Sequence, residues 1–165
     1  MKAPLHTVKS ATLFIIVGLI IGSLLTGIVA WNAMPNMMLQ IHKSKLNFEE
    51  TVAMIEKTAK AKGWSCPKIY NIQGSLQKEG YDMNKLKIIS LCHPKYASTI
   101  LSQDENKRIS AFMPCRVGVY EDAAGQVFVA EVNMGLMSKM FGGNIGQVLS
   151  SVAVEEKQIV ASVLH

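Results

Sequence analysis

Ile109-Ser-Ala-Phe-Met-Pro-Cys-Arg-Val-Gly-Val-Tyr-Glu-Asp-Ala-Ala-Gly-Gln-Val-Phe-Val-Ala-Glu-Val-Asn-Met134 is the stretch whose reading decides the fold. Ile109 to Glu121 alternates as a strand does, with Val117 and Val119 on one face. Val127 to Met134 answers it across Ala123-Ala124-Gly125, a turn signal between two extended runs. Upstream, Leu86 to Leu91 is apolar and β-branched, a strand that runs into Cys92-His93-Pro94. Pro94 suits the first turn of a short helix carrying Tyr96, Ile100 and Leu101. Gly74 to Asn84 reads as a polar connection with a helical turn around Leu76 to Lys78, and Trp64 to Ile72 as a strand interrupted by Pro67.

Further out, Asn47 and Glu50 form a capping-box start. From it Phe48, Val52, Ile55 and Ala59 recur on one helix face until Gly63 closes the helix. Met37 to Lys45 reads as a first strand, Leu39 and Ile41 facing one way and Gln40 and His42 the other. Downstream, Gly135 to Phe141 is a short helix before Gly142-Gly143. Asn144 then caps a final helix striped by Ile145, Val148, Leu149, Val152, Ile159 and Val163. The predicted class is α+β: an antiparallel-rich sheet of about five strands with helices packed on one face.

A single transmembrane helix is predicted ahead of this domain. No charged residue separates Lys9 from His42, and Ala11 to Trp31 is almost wholly apolar. A helix of ~20 apolar residues crosses the ~30 Å hydrocarbon core. A cleaved leader would have an apolar core of ~7–15 residues and a small-x-small site. Cuts after Ala30 or Ala33 would instead meet Ile28 or Trp31, so the reading is a retained anchor. Lys2 and Lys9 precede the span, whereas Lys43 and Lys45 lie further out and are followed by Glu49 and Glu50. That bias predicts a cytoplasmic N-terminus and an extracytoplasmic, periplasm-facing domain, with Trp31 at the outer interface. The expected organisation is a tail over residues 1–9, an anchor over 10–33, Met34-Pro35-Asn36 ending the helix, and the α+β domain over 37–165. Gly18, Gly22 and Thr26 form a small-residue row that could bring two such helices together as a homo-oligomer.

The 165 residues carry a net charge of +5, spread along the chain with no Arg-rich block. Without aromatic-basic interleaving, nucleic acid is not an expected partner. The expected partners are the membrane itself and a further copy or membrane-complex protein. Mild basicity suits a domain working beside anionic headgroups.

Four motifs, Asn-Phe-Glu-Glu-Thr-Val from Asn47, Leu-Cys-His-Pro-Lys-Tyr-Ala from Leu91, Phe-Met-Pro-Cys-Arg-Val-Gly-Val-Tyr-Glu from Phe112, and Met-Gly-Leu-Met-Ser-Lys-Met-Phe-Gly-Gly from Met134, occur in order. Together they resemble the domain-of-unknown-function family 302, from about Met37 to the end. The resemblance implies a compact α+β domain, with or without an anchor in front. It implies no established reaction and carries over no catalytic residue; the cofactor is left unknown.

The residues themselves leave chemistry open at one place. Cys66, Cys92 and Cys115 form no CxxC motif. Cys92 ends a strand before a helix N-terminus, and Cys115 lies in the strand expected beside it. The helix N-terminus and Arg116 would favour a thiolate. Core packing, a disulfide, and a reactive or soft-metal pair all remain open for Cys92 and Cys115, with His93 and Met113 as helpers for Cu(I) or zinc. His93 follows Cys92 directly, so their side chains are expected to diverge, and His42 reads as a surface residue. Met134, Met137 and Met140 recur at spacing three, a core or partner-contact pattern before a copper site. Gly142 to Gly146 opens a helix whose N–H groups could hold an anion, but a plain turn explains the glycines.

GxSxG, Walker and HExxH patterns are absent. Glu49/Glu50 and Glu155/Glu156 are sequence neighbours, so each pair faces two directions and is not an acid–base couple. The expectation is therefore an anchored, non-enzymatic domain that binds a ligand or partner. The alternative is a thiol redox or soft-metal protein using Cys92 and Cys115.

Overall fold

The structure is a computed structural model that describes residues 5–164. Residues 1–4, part of the expected tail, and His165 lie outside the described residues. The chain divides into two units between Met37 and Met38.

The first unit holds helix α1, Leu5–Met38, all but its last residue. Over Phe14–Met38 it is long and apolar enough to cross a membrane, with a stretch of 18 residues of mean hydropathy 2.4. The helix also takes in residues 5–9, which were expected as tail, and it continues past Pro35 rather than ending there. Proline removes one i→i−4 bond, and only the last turn follows it, so little helix is left to disrupt. Gly18 and Gly22 have open space around them, and the Thr26 hydroxyl donates back to the Gly22 carbonyl at 2.8 Å.

The second unit begins with β1 (Leu39–Lys43) and continues with α2 (Phe48–Ala61), β2 (Ile69–Asn71), α3 (Ile72–Lys78) and β3 (Leu86–Leu91). Then come α4 (Pro94–Leu101), a 3₁₀ segment (Asp104–Phe112), β4 (Cys115–Glu121), β5 (Val127–Val132), α5 (Met134–Phe141) and α6 (Gly143–Ala161). The five strands form one antiparallel sheet in the order β1-β5-β4-β3-β2. The α+β class and the five-stranded sheet are as the periodicities predict. The capping box at Asn47 and Glu50 is present, and Gly63 leaves α2 at φ 81°, a conformation glycine adopts without Cβ strain.

Three local readings are corrected. Ile109 to Met113 is not strand: its first part is the 3₁₀ segment, where Asn106 and Ile109 are buried together, a spacing of three that serves a tight helix. Trp64 to Ile72 shortens to β2, because Pro67 lacks a ladder donor; only the isolated bridge Ser65–Cys92 joins its first half to the sheet. Asn144 does not cap the last helix. Gly142 does so at φ 60°, and the Asn144 amide reaches instead to the Thr99 carbonyl at 3.3 Å.

Inward residues of the sheet, Ile89, Leu91, Val117, Val119, Val127 and Val129, meet Val52 and Ile55 of α2 and the α6 stripe. All six stripe residues are buried, including Val163 just past the helix end. The helices α2 and α6 thus hold one face of the sheet, and the shorter α4 and α5 close its β3–β4 end.

Candidate functional site

At that end lies a cavity of about 220 Å³. Its floor is the start of β4 and the end of β3, which pair Cys115 with Leu91. The sides are Tyr96 and Ile100 of α4, Met134 and Met137 of α5, and Leu149 and Val152 of α6. Trp64, just after α2, and Phe112, from the 3₁₀ segment, complete it. Phe112 is 56% exposed and stands edge-to-face with Phe141 at 6.0 Å, which marks the solvent side.

One wall carries polar atoms. The Trp64 indole N–H donates to Glu155 Oε2 at 2.7 Å, and the Tyr96 hydroxyl donates to Glu155 Oε1 at 2.6 Å. The His93 ring lies 4.4 Å from that of Tyr96 and 5.5 Å, edge-on, from that of Trp64. Burial pushes the Glu155 carboxyl up, but the Tyr96 and Trp64 hydrogen bonds and the nearby His93 and Lys62 charges outweigh it and hold it below the ordinary value. The Glu155 hydrogen bond in turn raises the Tyr96 phenol. His93 Nδ1 is buried and has no hydrogen-bond partner. A buried, unpaired ring nitrogen is costly, and a ligand group that reached it would recover the loss.

The sequence-predicted site residues meet here in part. Cys92, His93, Cys115 and Arg116 all line this cavity, as does Met113. Cys92 and His93 reach it where the chain leaves β3 and turns into α4. All three cysteines are free thiols. The predicted favouring of a thiolate is reversed at Cys115: burial, then the nearby Glu156 and Cys92, push it up to about 12. Arg116 does not offset this, since adjacent strand residues point to opposite sides and Arg116 is exposed. Cys66 is also pushed up by burial. Among the described residues no three His, Cys, Asp or Glu side chains are grouped to hold a metal ion. Met134 and Met137 are buried cavity wall, whereas Met140 is 60% exposed.

Sequence reasoning missed the Trp64–Tyr96–Glu155 group, whose members come from three distant places in the chain. It also missed Glu131 and Glu156. These two line a second cavity of about 160 Å³ together with Gln40 and Lys157. Burial raises Glu131 to about 7; burial and then the Glu131 charge raise Glu156 to about 8. Glu131 Oε2 and Glu156 Oε1 have no hydrogen-bond partner, and His42 Nε2 lies 3.4 Å from Glu131 Oε1. A signal existed: Glu131 continues the inward alternation of Val127 and Val129, and Glu156 sits in the α6 stripe between Val152 and Ile159. His42, read as a surface residue, is in fact half-buried beside this pair.

The model of the family "Domain of unknown function DUF302" matches residues 40–163. The chain is similar in fold to the uncharacterized conserved protein DUF302 from Bacillus stearothermophilus, known from a crystal structure. The TM-score is 0.68 at 19% identity, over 77% of this chain and 98% of that one. None of the curated proteins matches the chain. The matched span takes in all five strands, apart from the first residue of β1, together with both cavities, and the chain belongs to the DUF302 family.

Proposed function

We propose that this chain is a single-pass membrane protein, N-terminus in the cytoplasm, whose extracytoplasmic DUF302 domain binds a small apolar molecule without transforming it. The observation that carries the reading is the cavity of about 220 Å³, walled by Ile, Leu, Val, Met and aromatic side chains with few polar atoms converging on it. A cavity of ~150 Å³ with such walls holds benzene, so this one suits a somewhat larger molecule. His93 Nδ1 supplies a point of orientation. The Trp64–Glu155–Tyr96 bonds fix the wall against which the ligand packs. The anchor reading draws on the long apolar helix over Phe14–Met38 and on the lysine bias ahead of it.

The test uses the full chain in detergent micelles with Trp31→Phe, which leaves Trp64 as the single tryptophan. Toluene and cyclohexane are expected to shift Trp64 emission and raise the melting temperature; no response to either overturns the reading. A reproducible catalytic turnover lost on Cys92→Ser would overturn it as well.

A second reading, soft-metal or thiol chemistry, is favoured by one observation. Cys92, Cys115, Met113 and His93 line the same cavity, and the His93 Nδ1 is unpaired. Metal analysis of the purified chain tests it. Copper or zinc retained by the native chain and lost from Cys92→Ser would replace the first reading.

A further inference from the structure

Strand β1 is patterned backwards for the edge of a sheet with one wet face. Its apolar residues Leu39 and Ile41 are 52% and 58% exposed. Its polar residues pair with inward-facing partners, Gln40 with Glu131 and His42 with Val129. Cross-strand partners share a face, so the outward row can be followed across all five strands. Ile41 stands beside Ala130, Ala130 beside Gly118, Gly118 beside Ile88, and Ile88 beside Tyr70. A second row runs Lys43, Phe128, Tyr120, Leu86, in which the two rings stack at 5.5 Å. The open face of an antiparallel sheet is ordinarily polar. An apolar surface spanning five strands marks an interaction site.

Charge selects the occupant. Lys43 ends one row; at the far end of the other, Lys68 Nζ lies 4.9 Å over the Tyr70 ring. No Asp or Glu occupies an outward position on these strands. A second copy of the face would bring like charges together, whereas an anionic lipid surface is complementary. Chain length agrees. Trp31 to Met38 is ~10 Å of helix at 1.5 Å per residue, slightly more than the ~5–8 Å of a headgroup layer, so β1, which starts at the next residue, begins at the lipid surface.

We propose that the open face of the sheet docks on the surface of an anionic bilayer, Leu39, Ile41 and Phe128 entering the headgroup–acyl boundary. This rests on the anchored reading above. It gives the domain a fixed orientation, with the helical side turned away from the lipid.

The full chain is reconstituted with Trp31→Phe and a reporter tryptophan, Ile41→Trp on the open face or Ala53→Trp on the exposed side of α2. Vesicles contain acyl-brominated phosphatidylcholine, with or without phosphatidylglycerol, and bromine quenching is read against the parent lacking the reporter. Quenching at position 41 is expected with phosphatidylglycerol, and only weak quenching at 53. Lys43→Gln and Lys68→Gln should each lower the docking equilibrium constant about fivefold, the effect of one lysine at an anionic surface. Equal quenching at both positions, none at 41, or no dependence on phosphatidylglycerol or the two lysines overturns the proposal. Alkaline carbonate extraction separates the two failures. Release of the chain removes the anchored reading and this inference with it, whereas retention with position 41 unquenched removes the inference alone.

Discussion

Glu155 and Glu156 are consecutive residues of α6, yet they meet opposite fates. Glu155 is half-buried and receives hydrogen bonds from Trp64 and Tyr96, so its carboxylate is held below the ordinary value. Glu156 turns 100° further round the helix into the core, where it finds Glu131 and an oxygen with no partner, and is raised to about 8. Depth and donors together make the difference: burial is the main cause of the rise at Glu156, with the Glu131 charge second, whereas Glu155 is shallower and its hydrogen bonds outweigh its burial. A carboxylate supplied with N–H and O–H groups is stable where it sits; one buried without donors keeps its proton.

The largest expected effect follows from the pair in the core. Glu131 and Glu156 hold protons in the folded state to about pH 7 and about 8, against 4.5 for the ordinary group. Stability from this pair is therefore full below about pH 4.5, is lost progressively as pH rises from there through 7 to 8, and is level above, a loss on the order of several kcal/mol in all. Melting temperature measured across that range should fall in the native chain and fall less in Glu156→Gln. An equal slope in both would break the contrast between the two neighbours.

Glu155→Ala should act with the opposite sense at neutral pH, costing ~1–3 kcal/mol by leaving Trp64 Nε1 and the Tyr96 hydroxyl without an acceptor. Urea unfolding measures it, and a shift in Trp64 emission should accompany the loss. His93→Ala should weaken toluene binding by ~1 kcal/mol or less if the ring serves as wall, with Trp64 emission as the readout. An effect of similar small size serves as calibration. Asn47→Ala removes the α2 cap at a cost of ~1 kcal/mol, and should lower the whole stability curve without changing its pH slope.

Much of the fold was legible because its signals are local. The capping box at Asn47 and Glu50, Pro94 opening α4, and the Ala123-Ala124-Gly125 turn each act within a few residues. The β3 boundaries, Leu86–Leu91, came out as read. Ile109 to Met113 failed because an alternating pattern over so few residues also fits a 3₁₀ turn. The helix end at Pro35 failed because a proline near a terminus costs too little to stop the chain.

For the site, the Cys92–Cys115 neighbourhood was readable once two adjacent strands were expected. The thiolate at Cys115 was misread because a guanidinium next in sequence is not next in space on a strand. Glu131 and Glu156 were hidden in plain view, as carboxylates lying on stripes otherwise reserved for the core. The Trp64–Tyr96–Glu155 wall carried no sequence signal, since each residue is ordinary in its own element.

By itself the sequence determined the apolar first helix, the α+β class and the order of the elements, because these depend on periodicity, caps and turns within short windows. Tertiary structure alone decided which carboxyl is paired and which is stranded, that Cys115 stays a thiol, and that Leu39 and Ile41 face outward. Burial and hydrogen-bond partners are properties of what packs against a residue, and the packing partners here come from opposite ends of the chain.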